Sequence, residues 1–455
     1  MLTSTPATQP LDDAAQAPRR DRAIRSAVIM SLVCKGGTAL LQLVALPIAM
    51  RVLGWEKFGL YASVGAILMA VQLLEVGLGP ALAHGLSKAA ANRDRDRERR
   101  LYATSFWMMA VILAFGTLAM VAFIAFTPVS RMFGEKFVPY TDELLPALWS
   151  GLILFIGSVF LGHTDRVREG YLEVRTTYLW GAGANFIAAL AVGAGVWFVP
   201  SVSYLLFAVY GSQLLGKLGN TVHLWHQRPW LRPTFRAWDG SLVRSFLLDG
   251  LAYAVFATVV NFVEFIVCQN FIGRAQGPVG VAGYSVLVTI TTSLLGFVLM
   301  FTNPTWPAIV DAKARGDFPW IARTARRLWL YVLAFAGAAG FGVMLLGPWL
   351  LPRWFGDKAT DLDRAMLTAF AVYFALYAWR HANHMLLVGM GRVKTLANIQ
   401  LIESAMVLVA GWIGVQWKGT FGLLLAMSAA ILAVTSWWLP LVFRRDLEAS
   451  RRVPE

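Results

Sequence analysis

Apolar segments of about 20 residues recur from one end to the other of this 455-residue chain. At about 1.5 Å per residue, each is long enough to cross a hydrocarbon layer of roughly 30 Å. Twelve can be counted, at 24–49, 58–83, 101–126, 144–162, 177–198 and 204–224, then at 246–269, 279–301, 328–351, 365–388, 396–415 and 421–443. Inside lipid every backbone N–H and C=O needs a partner within the chain, so segments of this kind cross as helices. The fold class expected is an all-α polytopic membrane protein with about 12 transmembrane helices. Composition agrees: the chain is 57% hydrophobic and 15% charged, with a mean hydropathy of +0.59. That balance leaves too little polar surface to cover a water-soluble globule.

The remaining loops are short, and no soluble domain is left over. Residues 1–23 are polar, have no apolar core followed by a cleavage site, and read as a disordered cytoplasmic tail rather than a secretory signal. A first six-helix lobe then spans 24–224, a cytoplasmic linker 225–245, a second lobe 246–443 and a cytoplasmic tail 444–455. Cys34 and Cys268 both fall within spans as small apolar side chains, so a disulfide framework is excluded.

The net charge of +14 raises the question of nucleic acid. Location answers it. With the N-terminus placed in the cytoplasm, 28 of the 40 Lys and Arg residues fall on the cytoplasmic side and 9 on the other. That is the positive-inside distribution, which sets the orientation and leaves no nucleic-acid face. The run ANRDRDRERR at 91–100 reads as a solvated stop-transfer loop beside anionic lipid. Apart from Arg25, at the edge of the first span and counted with the cytoplasmic side, three basic residues remain within spans: Lys35, Lys217 and Arg380. With them lie Glu75, Asp249, Glu264 and Glu403, and the pair His381 and His384. An ionisable group at membrane depth costs a few kcal/mol on insertion scales, so it faces the bundle interior and a partner or pathway.

The chain also repeats itself. At an offset of 223, Arg51 overlies Arg274, Gly54 overlies Gly277, Tyr61 overlies Tyr284 and Asp94 overlies Asp317. These matches fall in the loops after the first and second span of each half. Six spans return the chain to its starting side, so the halves share an orientation. They are expected to be related by a pseudo-two-fold axis along the membrane normal, with a cavity between them, the architecture of alternating access.

The stretch VLGWEKFGLYASVGAILMAVQLLEVGLGPALAHGLSKA, with its Gly-x-Tyr and Gly-Leu-Gly, and the second-half stretch GYSVLVTITTSLLGFVLMFTNPTWPAIVDAKARGD resemble the polysaccharide-transport branch of the multidrug, oligosaccharidyl-lipid and polysaccharide exporter superfamily. Its members include the O-antigen flippases. The resemblance implies two six-helix lobes that open alternately to either side. It also implies an undecaprenyl-pyrophosphate-linked oligosaccharide as cargo, moved to the outer leaflet of the bacterial inner membrane for surface polysaccharide such as lipopolysaccharide or exopolysaccharide. Partners would be membrane lipids and a polysaccharide polymerase, with both termini cytoplasmic and no cofactor, metal or catalytic residue. The alternatives are a cation-coupled multidrug antiporter of the same superfamily and a membrane-embedded glycosyltransferase or polymerase. The first span holds Lys35 and no acid, against the antiporter. The longest non-cytoplasmic loop, 127–143, carries no catalytic cluster, against the enzyme.

The family does not supply the binding residues, so they are read from the chain. Arg380 is the candidate for the pyrophosphate because a guanidinium bonds in a planar fork and stays charged when buried; otherwise it braces helix contacts. His381 and His384 stand beside it, and Lys35 lies near mid-bilayer. Lys217 reads as snorkeling to headgroups. Glu264 is a coupling site or a packing contact, and Asp249 and Glu403 read as interfacial. Gly77, Gly79, Pro80 and Pro304 mark kinks where a span can bend. Glu75, at a depth similar to Lys35, is expected to pair with it as a clamp or as a switch hinged at Gly77, Gly79 and Pro80.

Overall fold

A computed structural model describes residues 36–69, 71, 78–171, 173–247, 262–303, 305–356 and 362–452. Among the described residues the regular structure is helical, with no strand. Seven continuous stretches are long and apolar enough to cross a membrane. Three of them turn a corner inside, at Gly54, at Gly277 and at Lys418–Gly419, and so hold two passes each; two further helices, 202–227 and Arg364–Gly389, complete the set. The passes are α1 (36–53), α2 (55–69 and Leu78–Ala91), α3 (Arg95–Phe126), α4 (Thr141–Gly170), α5 (Val174–Gly195) and α6 (202–227). The second lobe holds α7 (262–276), α8 (278–302 and Thr305–Ala314), α9 (Phe318–Phe355), α10 (Arg364–Gly389), α11 (393–417) and α12 (420–452).

The repeat is physical. Gly54 and Gly277, paired by the offset of 223, both turn their corners at positive φ, 85° and 76°, where a Cβ would be strained. Residues 93 and 316 are also an offset apart, and both have positive φ, 55° and 74°. Each is followed by an aspartate that caps the next helix: Asp94 accepts from the Arg97 N–H at 2.9 Å and Asp317 from the Trp320 N–H at 3.0 Å. Satisfying an otherwise orphaned N–H is what an N-cap does. Matched corners and matched caps put the two halves in register.

Two expectations about boundaries change. The run at 91–100 is a loop only at 92–94; Arg95 to Arg100 form the first turns of α3, and Glu98 there is buried, accepting from the Tyr171 hydroxyl at 2.7 Å and the Trp230 indole at 3.0 Å. Span edges set by hydropathy also stop short. α4 runs to Gly170, beyond the expected 162, and the α12 helix continues through 444–452. Helices continue past the apolar window because headgroups and water solvate charged side chains without breaking the backbone ladder.

Among the described residues the lobes meet at the end of the Gly54 and Gly277 corners. Gly59 lies so close to the Pro278 carbonyl that a Cβ would sit 1.9 Å from its oxygen. Six side-chain hydrogen bonds between described residues cross here, and every one ends on a main-chain carbonyl. Trp55 donates to Phe355 at 3.2 Å, Trp354 to Leu43 at 2.6 Å and Gln269 to Ala62 at 2.8 Å. Asn270 donates to Met132 at 3.0 Å, Arg274 to Arg131 at 2.5 Å and Lys136 to Ala275 at 2.6 Å. At the opposite, Asp94 end the close packing of 78–91 is with α3 and α4, and that of 305–314 with α9 and α10, each within its own lobe.

Candidate functional site

Arg380 stands at the centre of the second lobe, 3% exposed, on a face of α10 that also carries Tyr373, Tyr377 and His384. Its fork is occupied. Nη1 and Nη2 donate to the two carboxylate oxygens of Glu264 on α7 at 2.5 and 2.9 Å, and Nη1 also reaches Glu403 on α11. The second oxygen of Glu403 accepts from the Thr435 hydroxyl on α12, and the guanidinium carbon lies 4.7 Å from the Tyr377 ring centre. Glu264 and Glu403 are each 2% exposed. Four helices are therefore tied through one guanidinium, in the bidentate geometry that makes arginine pairs strong.

The fork of Arg380 is filled in this conformation, so an incoming anion would have to displace two carboxylates, and Glu264 is its partner. One expectation is corrected. Glu403 is not interfacial. The histidines are likewise internal: His381 bonds Thr302 at 3.2 Å, and His384 lies 3.0 Å from the Gln400 amide. Cys268 is a buried free thiol, as expected.

The first lobe gathers polar groups near its Asp94 end, and most of them were missed. Arg168 on α4 is wholly buried, and its Nε donates to Asn220 on α6 at 2.6 Å. Its Nη1 donates to Glu173 at 2.8 Å and to Gln227 at 3.1 Å. Glu173 also accepts from Arg228 at 2.6 Å. Burial alone would raise the Glu173 carboxyl, but Arg228 and then Arg168 outweigh it and hold it below the usual range. Lys217 does not snorkel: it pairs with Asp165 on α4, whose other oxygen accepts from Asn220 at 2.8 Å. Ending α4 at 162 hid Asp165 and Arg168. The available signal was spacing, since Asp165 and Arg168 on one helix and Lys217 and Asn220 on the other each stand at i, i+3 and share a face.

The segment between the lobes is fastened to the first. Thr234 accepts from Arg99 at 3.1 Å, the Asp239 N–H donates to Thr104 at 2.9 Å, and Arg95 lies 4.6 Å from the Trp230 ring centre. Lys35, Glu75, Gly77, Pro304 and Asp249 lie outside the described residues. Of the expected hinge, Gly79 and Pro80 fall in the first turn of Leu78–Ala91. Among the described residues no three His, Cys, Asp or Glu side chains gather as a metal-binding group.

A family model described as polysaccharide biosynthesis protein matches residues 24–313. A relative from Yersinia pseudotuberculosis, provisionally named an O-antigen export protein, is 20% identical over 422 residues, covering 90% of this chain and 93% of that protein. Among solved structures, an inward-facing multidrug resistance MATE family transporter of the MOP superfamily superposes with a TM-score of 0.79 at 14% identity, over 93% of this chain and 100% of that one. An outward-facing MATE family transporter gives 0.69 at 15% identity, over 94% and 97%.

Proposed function

This chain belongs to the polysaccharide biosynthesis protein family, and we propose that it flips an oligosaccharide linked to undecaprenyl pyrophosphate from the inner to the outer leaflet of the bacterial inner membrane. The observation that carries the reading is the one-ended seal among the described residues: two lobes joined across the Gly54 end and packed separately at the Asp94 end. The positive-inside distribution supports a cytoplasmic Asp94 end and cytoplasmic termini. The conformation is then open to the leaflet on which lipid-linked sugars are assembled. The better superposition on the inward-facing neighbour supports that assignment, and the exporter relative supports a glycan cargo. The lobes are assigned to 24–224 and 246–443, with a polysaccharide polymerase as downstream partner.

Alternating access then consists of breaking the six cross-lobe bonds while the Asp94 ends close. Because the acceptors are main-chain carbonyls, the seal depends on backbone position rather than on a partner side chain. Outward movement of an anion is favoured by an inside-negative potential, by about 2.3 kcal/mol per charge per 100 mV.

The test is a deletion strain. Lipid-linked repeat units should accumulate on the cytoplasmic leaflet while surface polysaccharide is lost. Unchanged surface polysaccharide, in a strain with no second copy of the gene, removes the reading. A multidrug antiporter is the second reading, favoured by the MATE fold neighbours. It predicts instead that the deletion strain becomes drug-sensitive with its polysaccharide intact.

A further inference from the structure

We propose that a polar pocket inside the first lobe, between α4, α5 and α6, holds one sugar ring of the cargo; the proposal rests on the transport reading above and names the part of the cargo that this lobe recognises. The pocket measures about 220 Å³, and its lining includes Asp165, Thr177, Trp180, Asn185, Gln213 and Lys217. At about 30 Å³ per water, it has room for roughly seven waters, the scale of a single pyranose.

The lining has the chemistry of a hydroxyl-rich, uncharged ligand. Lys217 and Asp165 neutralise one another, so the pocket offers no net charge to a phosphate. The amides of Asn185 and Gln213 present both donors and acceptors, as sugar hydroxyls do. The Asn185 amide donates one hydrogen bond to the Thr38 hydroxyl at 2.8 Å, and two other lining groups have no partner among the described residues. The Thr177 hydroxyl oxygen is buried and unbonded among the described residues, and Gln213 makes no hydrogen bond there. An unmade bond on a buried polar group is costly, so the Thr177 hydroxyl calls for a ligand or water.

Other members are held in place. Asn220 is fixed between Arg168 and Asp165. The Trp180 indole donates to His223 at 3.2 Å, and its ring rests on Gly219, where a Cβ would lie 2.4 Å from it. A pinned aromatic ring beside convergent amides and a hydroxyl is a preorganised site of the kind small polar ligands use.

Two glycines give a matched test. Gly181 lines the pocket, and Gly183 is absent from its lining. A Cβ at either would meet nothing within 4 Å. In the deletion strain, Gly181→Leu should lower surface polysaccharide about tenfold, equivalent to about one or two lost hydrogen bonds, and Gly183→Leu should leave it within about twofold. A second measurement does not depend on export. Gln213→Cys, in a chain also carrying Cys34→Ser and Cys268→Ala, is labelled with a small maleimide in membrane vesicles. The vesicles come either from the glycan-producing strain or from one blocked before the first sugar. Labelling should be slower in the producing strain by about tenfold, the occupancy effect of a site about 90% filled, with no change at a Gly183→Cys control. Equal labelling of Gln213→Cys in the two strains, or full export by Gly181→Leu, overturns the pocket. Glycan-dependent labelling in a chain whose deletion leaves surface polysaccharide unchanged overturns the transport reading and keeps the pocket.

Discussion

Among the described residues each lobe buries one arginine, Arg168 in the first and Arg380 in the second, and the company each keeps is different. Arg168 is met by two amides and one carboxylate, in a chain of bonds running through Glu173 to Arg228 near the lobe's end. Arg380 is met by two carboxylates, both enclosed, with Thr435 closing the far side. Amides are neutral and Glu173 keeps a second arginine, so the first lobe can lose Arg168 without stranding a carboxylate. The second cannot release Arg380 without baring buried carboxylates.

The largest effect should come from breaking the second centre. Arg380→Met strands Glu264 and Glu403, and removal of one member of a buried ion network typically destabilises by about 3–5 kcal/mol. Thermal unfolding of the solubilised protein should show this as a marked fall in Tm. Adding Glu264→Gln and Glu403→Gln to Arg380→Met should recover most of the loss, because no desolvated charge remains. Arg168→Met should be milder, about 1–3 kcal/mol, since Glu173 keeps Arg228. Equal losses for the two single variants would erase the contrast between the lobes.

Next in size is the seal. Trp55→Phe removes one hydrogen bond to the Phe355 carbonyl, worth about 1 kcal/mol net. Distances between spin labels across the Gly54 end should show the separated population rising about fivefold, the ratio that energy implies. Thr117→Val, which removes a hydroxyl bonded only within α3, should leave the population unchanged.

The smallest effect is set by pH. Because the Glu173 carboxyl lies below its usual range, its stabilising contribution is complete above the ordinary glutamate value, about 4.3. It is lost as pH falls through the lowered one. Tm should therefore drop on acidification below that value, and Glu173→Gln should flatten this part of the profile. A profile unchanged by Glu173→Gln would mean that the Arg168 and Arg228 contacts contribute nothing to stability.

Much of the architecture was legible in the sequence, because lipid imposes length and periodicity on every span. The repeat could be read from Gly54, Gly277, Asp94 and Asp317, since corners at positive φ and N-caps admit few residue types. The site was harder. Arg380 and Glu264 were visible as charges at membrane depth, but their pairing joins residues 116 apart in sequence, and no local pattern encodes that. Glu403 looked interfacial because hydropathy measures distance along a helix and says nothing of which face turns inward. Asp165 and Arg168 were lost for the opposite reason: a run of charge ended the apolar window while the helix continued into the lobe.

The central claim is that this chain carries a lipid-linked glycan across a bilayer, and one reconstitution tests it directly. Purified protein is placed in vesicles with lipid-linked oligosaccharide from the producing strain, its glycan tagged with a fluorophore that external dithionite quenches. The account predicts that quenching proceeds past the outer-leaflet share seen in protein-free vesicles, toward completion. Quenching that stops at that share, with the protein folded and inserted, would contradict it.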